Sequence, residues 1–247
     1  MGEKKGEFMR LIDAIINPWS INIFSDASTT SKNRNQTTVD ACYGAVAYEG
    51  HNKVNEIFRV LRNTTSNHAE LRGINLAVRV ALEMRDSHPY LNNFNILSDS
   101  MISVFGISGY CKKWVNLDNA IYGMSPSPHL IASQEVYVDT LRLIVDNSLK
   151  VTIWHQKGHV NTNNMESIDN ALDVFKRNNN FSSIADIELI KYISDKNNEV
   201  DKKSREILYR DRYSARDFVE PVYFIPYKFE QLVKDYAELQ RKGENLC

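Results

Sequence analysis

The sequence predicts an α/β fold, a mixed sheet flanked by helices, and three observations carry that expectation. Early apolar and β-branched runs alternate in the manner of an antiparallel meander. From Asn67 the apolar positions change to helical spacing. Strands and helices then alternate, giving the order β-β-β-α-β-α-α-β.

Taken in order, residues 21–25 (INIFS) form the first strand, which ends at Asp26, and the polar stretch 28–41 reads as a loop. Residues 43–49 (YGAVAYE) and 55–62 (NEIFRVLR) are the next two strands. Leu71, Ile74, Ala77, Val78, Ala81 and Leu82 share one helical face, predicting a helix from Asn67 to about Arg85. Residues 94–98 (FNILS) are a fourth strand with Asp99 at its end and a short helix after it. Residues 115–128, with a glycine and two prolines, read as a loop, followed by a helix from about His129 to Val145. VTIW (151–154) is the last strand, and Gly158 turns the following chain into a loop.

Beyond it, residues 161–200 are rich in asparagine around two helical patches, ALDVFKR and IADIELIKYI. The tail from about Ser214 carries an amphipathic stripe of Phe229, Leu232, Val233, Tyr236 and Leu239. Packing back onto the domain is preferred for that stripe over binding a partner. The expected organisation is an N-terminal helical extension (1–20), a catalytic domain (21–213) with an insertion at about 161–196, and a C-terminal extension (214–247).

The 247 residues are 43% hydrophobic and 25% charged, ordinary for a globular protein. Thirty basic against thirty-one acidic residues give a net charge of −1, so bulk charge does not advertise a nucleic-acid partner. Such binding needs a local basic surface or bound cations. Three scattered cysteines exclude a disulfide framework and suggest a reducing, cytoplasmic setting. The short apolar stretches of the N-terminus are broken by charges, giving neither a signal peptide nor a membrane span.

Three carboxylates stand out by position. Asp26 and Asp99 each follow an apolar strand in Ser-Asp settings (SDAS, SDSM), and Glu70 sits in the first turn of the helix. Singly, each has a plain structural role as a turn former, a cap or a complement to the helix dipole. Together they mean more, because adjacent strands ending at one sheet edge converge their side chains. Clustered carboxylates repel unless a cation sits among them, and hard oxygen ligands suit Mg²⁺ or Mn²⁺. In WHQKGHVN (154–161), by contrast, the two histidines straddle a strand and a loop, so they do not share a helical face as a zinc pair would.

The stretches IFSDAS, TSNHAELRGINLAV, NILSDS and IWHQKGH, in this order, resemble the ribonuclease H family, type 1, over about residues 21–160. Ala27 stands where that family more often has glycine, a position that needs only a small residue. The resemblance implies an RNase H-like, five-stranded mixed sheet and an Asp-Glu-Asp-Asp cluster holding two Mg²⁺ or Mn²⁺ ions. It implies hydrolysis of the RNA strand of an RNA–DNA hybrid, leaving a 5′-phosphate and a 3′-hydroxyl. One ion would position the attacking hydroxide and the other stabilise the leaving oxygen.

In this likeness Asp26, Glu70 and Asp99 are metal ligands, and His159 is the loop histidine that shuttles a proton. Asn67 would contact the minor groove and read the 2′-hydroxyl, its plain alternative being a helix N-cap. Gln134 is a second groove candidate, and Thr65 and Ser28 are candidates for phosphate contacts. Lys112, Lys113 and Trp114 suit either the DNA backbone or a solvated charge pair beside a packed tryptophan. His155 has no matching role and reads as structural or surface-exposed.

The fourth acid has two candidates. Asp169 lies ten residues beyond His159 and fits on spacing. Asp201 fits on local pattern, with Asn197 four before it and Arg205 four after, and is preferred. It requires an insertion before the last core helix, which costs little closure entropy. The rival functions are another nuclease of the same superfamily, or a non-catalytic nucleic-acid-binding or assembly module. Protein partners through the insertion or the C-terminal extension are compatible with either; a membrane is not expected.

Overall fold

The computed structural model describes residues 20–30, 38–89, 93–117, 120–124, 127–179, 186–210 and 228–244. The expected N-terminal helix falls outside these residues. Strand β1 (Ser20–Thr29) pairs antiparallel with β2 (Val39–Glu49), which pairs antiparallel with β3 (Asn52–Thr64) through a turn at Gly50, φ +57°. Helix α1 (Ser66–Ser87) returns the chain across the sheet to β4 (Asn93–Ser98), parallel to β1.

Helix α2 (Met101–Ser108) and a single 3₁₀ turn lead into a small antiparallel sheet of β5 (Trp114–Leu117), β6 (Ala120–Gly123) and β7 (His129–Leu130). Helix α3 (Gln134–Asp146) and β8 (Val151–His155) complete a five-stranded mixed sheet of order β3-β2-β1-β4-β8. Helices α4 (Met165–Asn178), α5 (Ile187–Arg210) and α6 (Phe229–Glu244) follow. This is the RNase H-like architecture that the resemblance implies.

Period-two alternation gives the sheet two buried faces. Ile21, Ile23, Ala45, Ala47, Phe94 and Ile96 face a core shared with α1, α2, α3 and α6. Phe24, Val46, Tyr48 and Leu97 face a second core filled by α4 and α5. Helix α5 is aligned by polar contacts as well: Asn22 donates to the Tyr192 hydroxyl at 3.4 Å, and that hydroxyl donates to the Gly50 carbonyl at 2.6 Å.

Several boundaries differ from expectation. Strand β1 runs past Asp26 to Thr29, because its antiparallel pairing with β2 continues as far as Thr29–Ala41 after the parallel pairing with β4 stops at Ser25–Ser98. Within residues 115–128, expected as a loop, lies most of the small sheet; its strands are two to four residues long, too short for a period to show. Helix α3 starts at Gln134 rather than near His129, preceded by Ser133 in the left-handed region at φ 57°. Helix α5 is continuous through residue 196, joining the expected insertion to the expected last core helix. Leu189, Ile190, Ile193, Val200 and Leu208 keep one buried stripe along it. The stripe of α6 packs into the first core, as preferred: Phe229, Leu232, Val233 and Tyr236 are buried there and Leu239 lies against it.

Candidate active site

The register that pairs Ser25 with Ser98 sets Asp26 and Asp99 side by side where the two parallel strands part. Glu70 reaches the same point from α1. That helix begins at Ser66, with the Thr65 hydroxyl accepting from the His68 N–H at 3.2 Å, so Glu70 lies in the second turn. This corrects two expectations: the dipole role of a first-turn acid lapses for Glu70, and the N-cap is Thr65, which leaves Asn67 uncapping and exposed.

Asp26, Glu70 and Asp99 each offer an oxygen within 4.8 Å of the others. Asp26 is 5% exposed, and burial pushes its carboxyl well above the usual carboxylate range, with the charges of Asp99 and Asp201 pushing the same way. Burial also raises Glu70, seconded by Asp26 and Asp99 and only partly offset by the Ala27 N–H. Burial raises Asp99, against the pull of the His159 imidazole and of the Asn197 side-chain amide. The Ala27 N–H also donates to Asp26 at 2.7 Å. Glu70 Oε2 is buried with no hydrogen-bond partner among the described residues. Three crowded, desolvated carboxylates with an orphaned oxygen fit a divalent cation, whose charge removes the repulsion and whose coordination satisfies that oxygen.

Asp201 stands at the margin of this cluster. Its carboxylate accepts from the Ser28 hydroxyl at 3.0 Å and from Arg205 Nη2 at 3.0 and 2.8 Å, and lies 3.8 Å from His159 Nδ1. The charges acting on the three carboxylates include one another, Asp201, His159 and Arg205. Asp169 is not among them; it is exposed on α4, which buries Ile168, Ala171 and Phe175 instead.

His159 has a side chain 75% exposed and a left-handed backbone, φ 53°, at the mouth of the site. Gly158 before it lies against Asp99: a Cβ there would collide with Asp99 Oδ2 and sit 3.0 Å from its Cγ. His155 is buried, which removes the surface-exposed alternative. Its ring stacks on Phe105 at 5.8 Å, with Nδ1 2.9 Å from Asn178 Nδ2, while Asn179 bridges its backbone N–H and carbonyl.

The substrate-contact candidates separate. Ser28 is buried and its hydroxyl is committed to Asp201 and to Ser204 at 2.9 Å, so it positions an acid where a phosphate contact was expected. Gln134 uses its side-chain carbonyl to accept from the Ile121 N–H at 2.6 Å, anchoring β6, where a groove contact was expected. Asn67 and Thr65 line a cavity of about 730 Å³, together with Lys113, Trp114, His129 and Ser133. Trp114 is packed edge-on to Tyr137 at 4.9 Å, while Lys112 and Lys113 are exposed.

Residues that sequence reasoning did not assign also converge here. Asn197, Ser204 and Gln156 are buried around the carboxylates. Asn197 and Ser204 had a signal, standing one turn either side of Asp201; Gln156 had none.

Fold and site together define a protein of the RNase H-like class with three carboxylates gathered at one sheet edge. A family model described as RNase H matches residues 18–175, and the chain belongs to the RNase H family. The matched stretch contains Asp169 and stops short of Asp201, whose carboxylate is hydrogen-bonded to Ser28, two residues past Asp26 on β1. No curated protein matches the chain. Among solved structures, RNase H1 from Halobacterium salinarum NRC-1 is similar at 17% identity and TM-score 0.41, over 62% of this chain and 98% of that one. The PFV RNase H domain is similar at 18% and 0.44, over 64% and 93%. LC11-RNase H1, solved in complex with an RNA/DNA hybrid, is similar at 17% and 0.41, over 62% and 96%. Among the described residues no helix is long and apolar enough to cross a membrane.

Proposed function

We propose that this chain is an endoribonuclease that hydrolyses the RNA strand of RNA–DNA hybrids with two divalent ions, Mg²⁺ or Mn²⁺, leaving a 5′-phosphate and a 3′-hydroxyl. The observation that carries this reading is the Asp26–Glu70–Asp99 cluster with its unpartnered Glu70 Oε2. Asp201, not Asp169, is the fourth ligand in this proposal, supported by its place beside the cluster.

When bound, the ions supply an activated water nucleophile and offset the charge that develops on the phosphate and the leaving oxygen. The chain's own groups do the rest. Asp26, Glu70, Asp99 and Asp201 would hold the cations, with Asp26 and Asp201 themselves held by hydrogen bonds from Ala27, Ser28 and Arg205. The water oxygen ends on phosphorus, the P–O3′ bond breaks, and a proton reaches the departing 3′ oxygen. His159, exposed and 3.8 Å from Asp201, moves protons between site and solvent. Asn67 offers an exposed side-chain amide one helical turn from Glu70, suited to the 2′-hydroxyl that separates RNA from DNA.

The test is cleavage of an end-labelled RNA–DNA hybrid, with duplex DNA as control. Cleavage of the RNA strand that needs Mg²⁺ or Mn²⁺ and disappears in Asp99→Asn is the expected result. A protein that shifts the hybrid on a gel but leaves it intact with either metal is a binding module, and the proposal fails.

A further inference from the structure

Gln156 follows β8 directly, and its N–H donates to the Ser98 carbonyl at 3.0 Å, extending the β4–β8 pairing one step. That places Gln156 beside the strand end from which Asp99 emerges. Its side chain is 1% exposed, and Nε2 donates to Asn197 Oδ1 at 2.6 Å. Asn197, 2% exposed, lies on α5 one turn before Asp201, and its side-chain amide favours the ionised form of Asp99.

The orientation of both amides follows from the acid. A carboxylate accepts only, so Asn197 must turn Nδ2 toward Asp99 and Oδ1 away from it. Oδ1 then needs a donor, and Gln156 Nε2 is that donor. Reversing Gln156 would set two carbonyl oxygens against each other. The pair therefore locks Asn197 in the one flip that can serve Asp99. The lock ties three elements, β8 through Gln156, α5 through Asn197 and the end of β4 through Asp99.

Packing does not explain a glutamine at this position. Its Oε1 is buried without a partner among the described residues, a desolvation cost of about 1–3 kcal/mol that an apolar side chain of the same length avoids. We infer that Gln156 is a positioning residue for the metal site: through Asn197 it fixes the carboxylate of Asp99 relative to Asp201. This rests on the proposed metal-binding role of the cluster. Partners of metal ligands typically contribute 10- to 100-fold in metal affinity when they orient a ligand.

The experiment is calorimetric titration of Mn²⁺ into wild type, Gln156→Met, Asn197→Leu and the double variant, with thermal unfolding of each. Met matches the length of Gln and removes both hydrogen-bonding groups. The expected result is roughly tenfold weaker binding in Gln156→Met with no loss of melting temperature, and a double variant no weaker than Asn197→Leu alone. Additive losses would mean that Gln156 does not act through Asn197. Wild-type affinity in Gln156→Met, or a loss only of melting temperature, overturns the inference and leaves the metal site standing. Absence of Mn²⁺ binding in the wild type overturns both.

Discussion

Ser28 on β1 and Asp201 on α5, 173 positions apart, share a hydrogen bond of 3.0 Å from hydroxyl to carboxylate. Ser204, fully buried one turn beyond Asp201, lies 2.9 Å from the same hydroxyl. Ser204 also donates to the Asp201 backbone carbonyl at 3.0 Å, so the two serines hold the acid by its carboxylate and by its main chain. An exposed helical acid would need no such seat; a metal ligand would. Asp201→Asn is therefore expected to lower hybrid cleavage by at least about 100-fold, about 2.7 kcal/mol of transition-state stabilisation. Asp169→Asn, on the exposed face of α4, is expected to stay within about twofold. Initial rates at saturating Mg²⁺ check this, and a dead Asp169→Asn beside an active Asp201→Asn would reverse the assignment.

Gly158 gives a second prediction. Its Cα faces the Asp99 carboxylate so closely that a Cβ cannot be placed without moving Oδ2. Gly158→Ala must displace either the acid or the loop that carries His159. Overpacking of this kind costs about 1–3 kcal/mol of stability, and the displaced acid should weaken Mn²⁺ binding by about tenfold or more. Calorimetry and a melting curve on the variant separate the two effects. Unchanged Mn²⁺ affinity would show that the loop, and not the ligand, absorbs the methyl group.

These acids were legible in the sequence for a local reason. Each ends an apolar run or follows a helical start, so Asp26, Asp99 and Glu70 could be found from their own neighbourhoods. What surrounds them was not local. Ser28 looked free to meet a phosphate because its partners lie 173 and 176 positions downstream. Gln134 looked like a groove contact until the Ile121 N–H claimed it. The asparagines around residue 178 read only as part of an asparagine-rich insertion, yet Asn178 and Asn179 hold His155 and close the end of β8. In the small sheet the strands are shorter than any readable period, and glycine and proline punctuation dominates the signal.

The pH dependence of the metal-free protein follows from the cluster. Burial raises Asp26, Glu70 and Asp99 above the usual carboxylate range, so the folded chain holds protons that the unfolded chain releases. A raised carboxyl stabilises the fold below its unfolded pKa, and that contribution is lost as pH rises through the folded pKa. Without metal, stability should therefore fall from about pH 4 upward relative to Asp26→Asn, which cannot ionise there. Each unit of elevation corresponds to about 1.4 kcal/mol. Adding Mg²⁺ should restore the wild type at neutral pH and leave Asp26→Asn unchanged. Melting temperatures from pH 4 to 8, in chelator and in Mg²⁺, measure both. A wild type and variant that melt in parallel throughout would mean the carboxylates are not strained by one another.

The last prediction concerns α6, which lies beyond the stretch matched by the family model yet completes the first core. Phe229 is 2% exposed and stacks on Trp114 at 6.3 Å and 18°, and Trp114 lines the cavity beside Asn67. One residue further, the Glu230 carboxylate accepts from the Asn116 N–H at 2.8 Å on the open edge of β5. The helix thus supports the small sheet that walls the cavity. Removing a buried phenyl ring leaves a void that packing cannot fully close, so Phe229→Ala should cost about 3–5 kcal/mol and lower the melting temperature by roughly 6–20 °C. Glu230→Gln, at an exposed carboxylate, should stay within about 0.5 kcal/mol. If Phe229→Ala unfolds at the wild-type denaturant midpoint, α6 is an appendage and its apolar stripe is free for a partner. If it unfolds early, hybrid affinity should fall with it, because the wall that carries Lys113 and Trp114 loses its support.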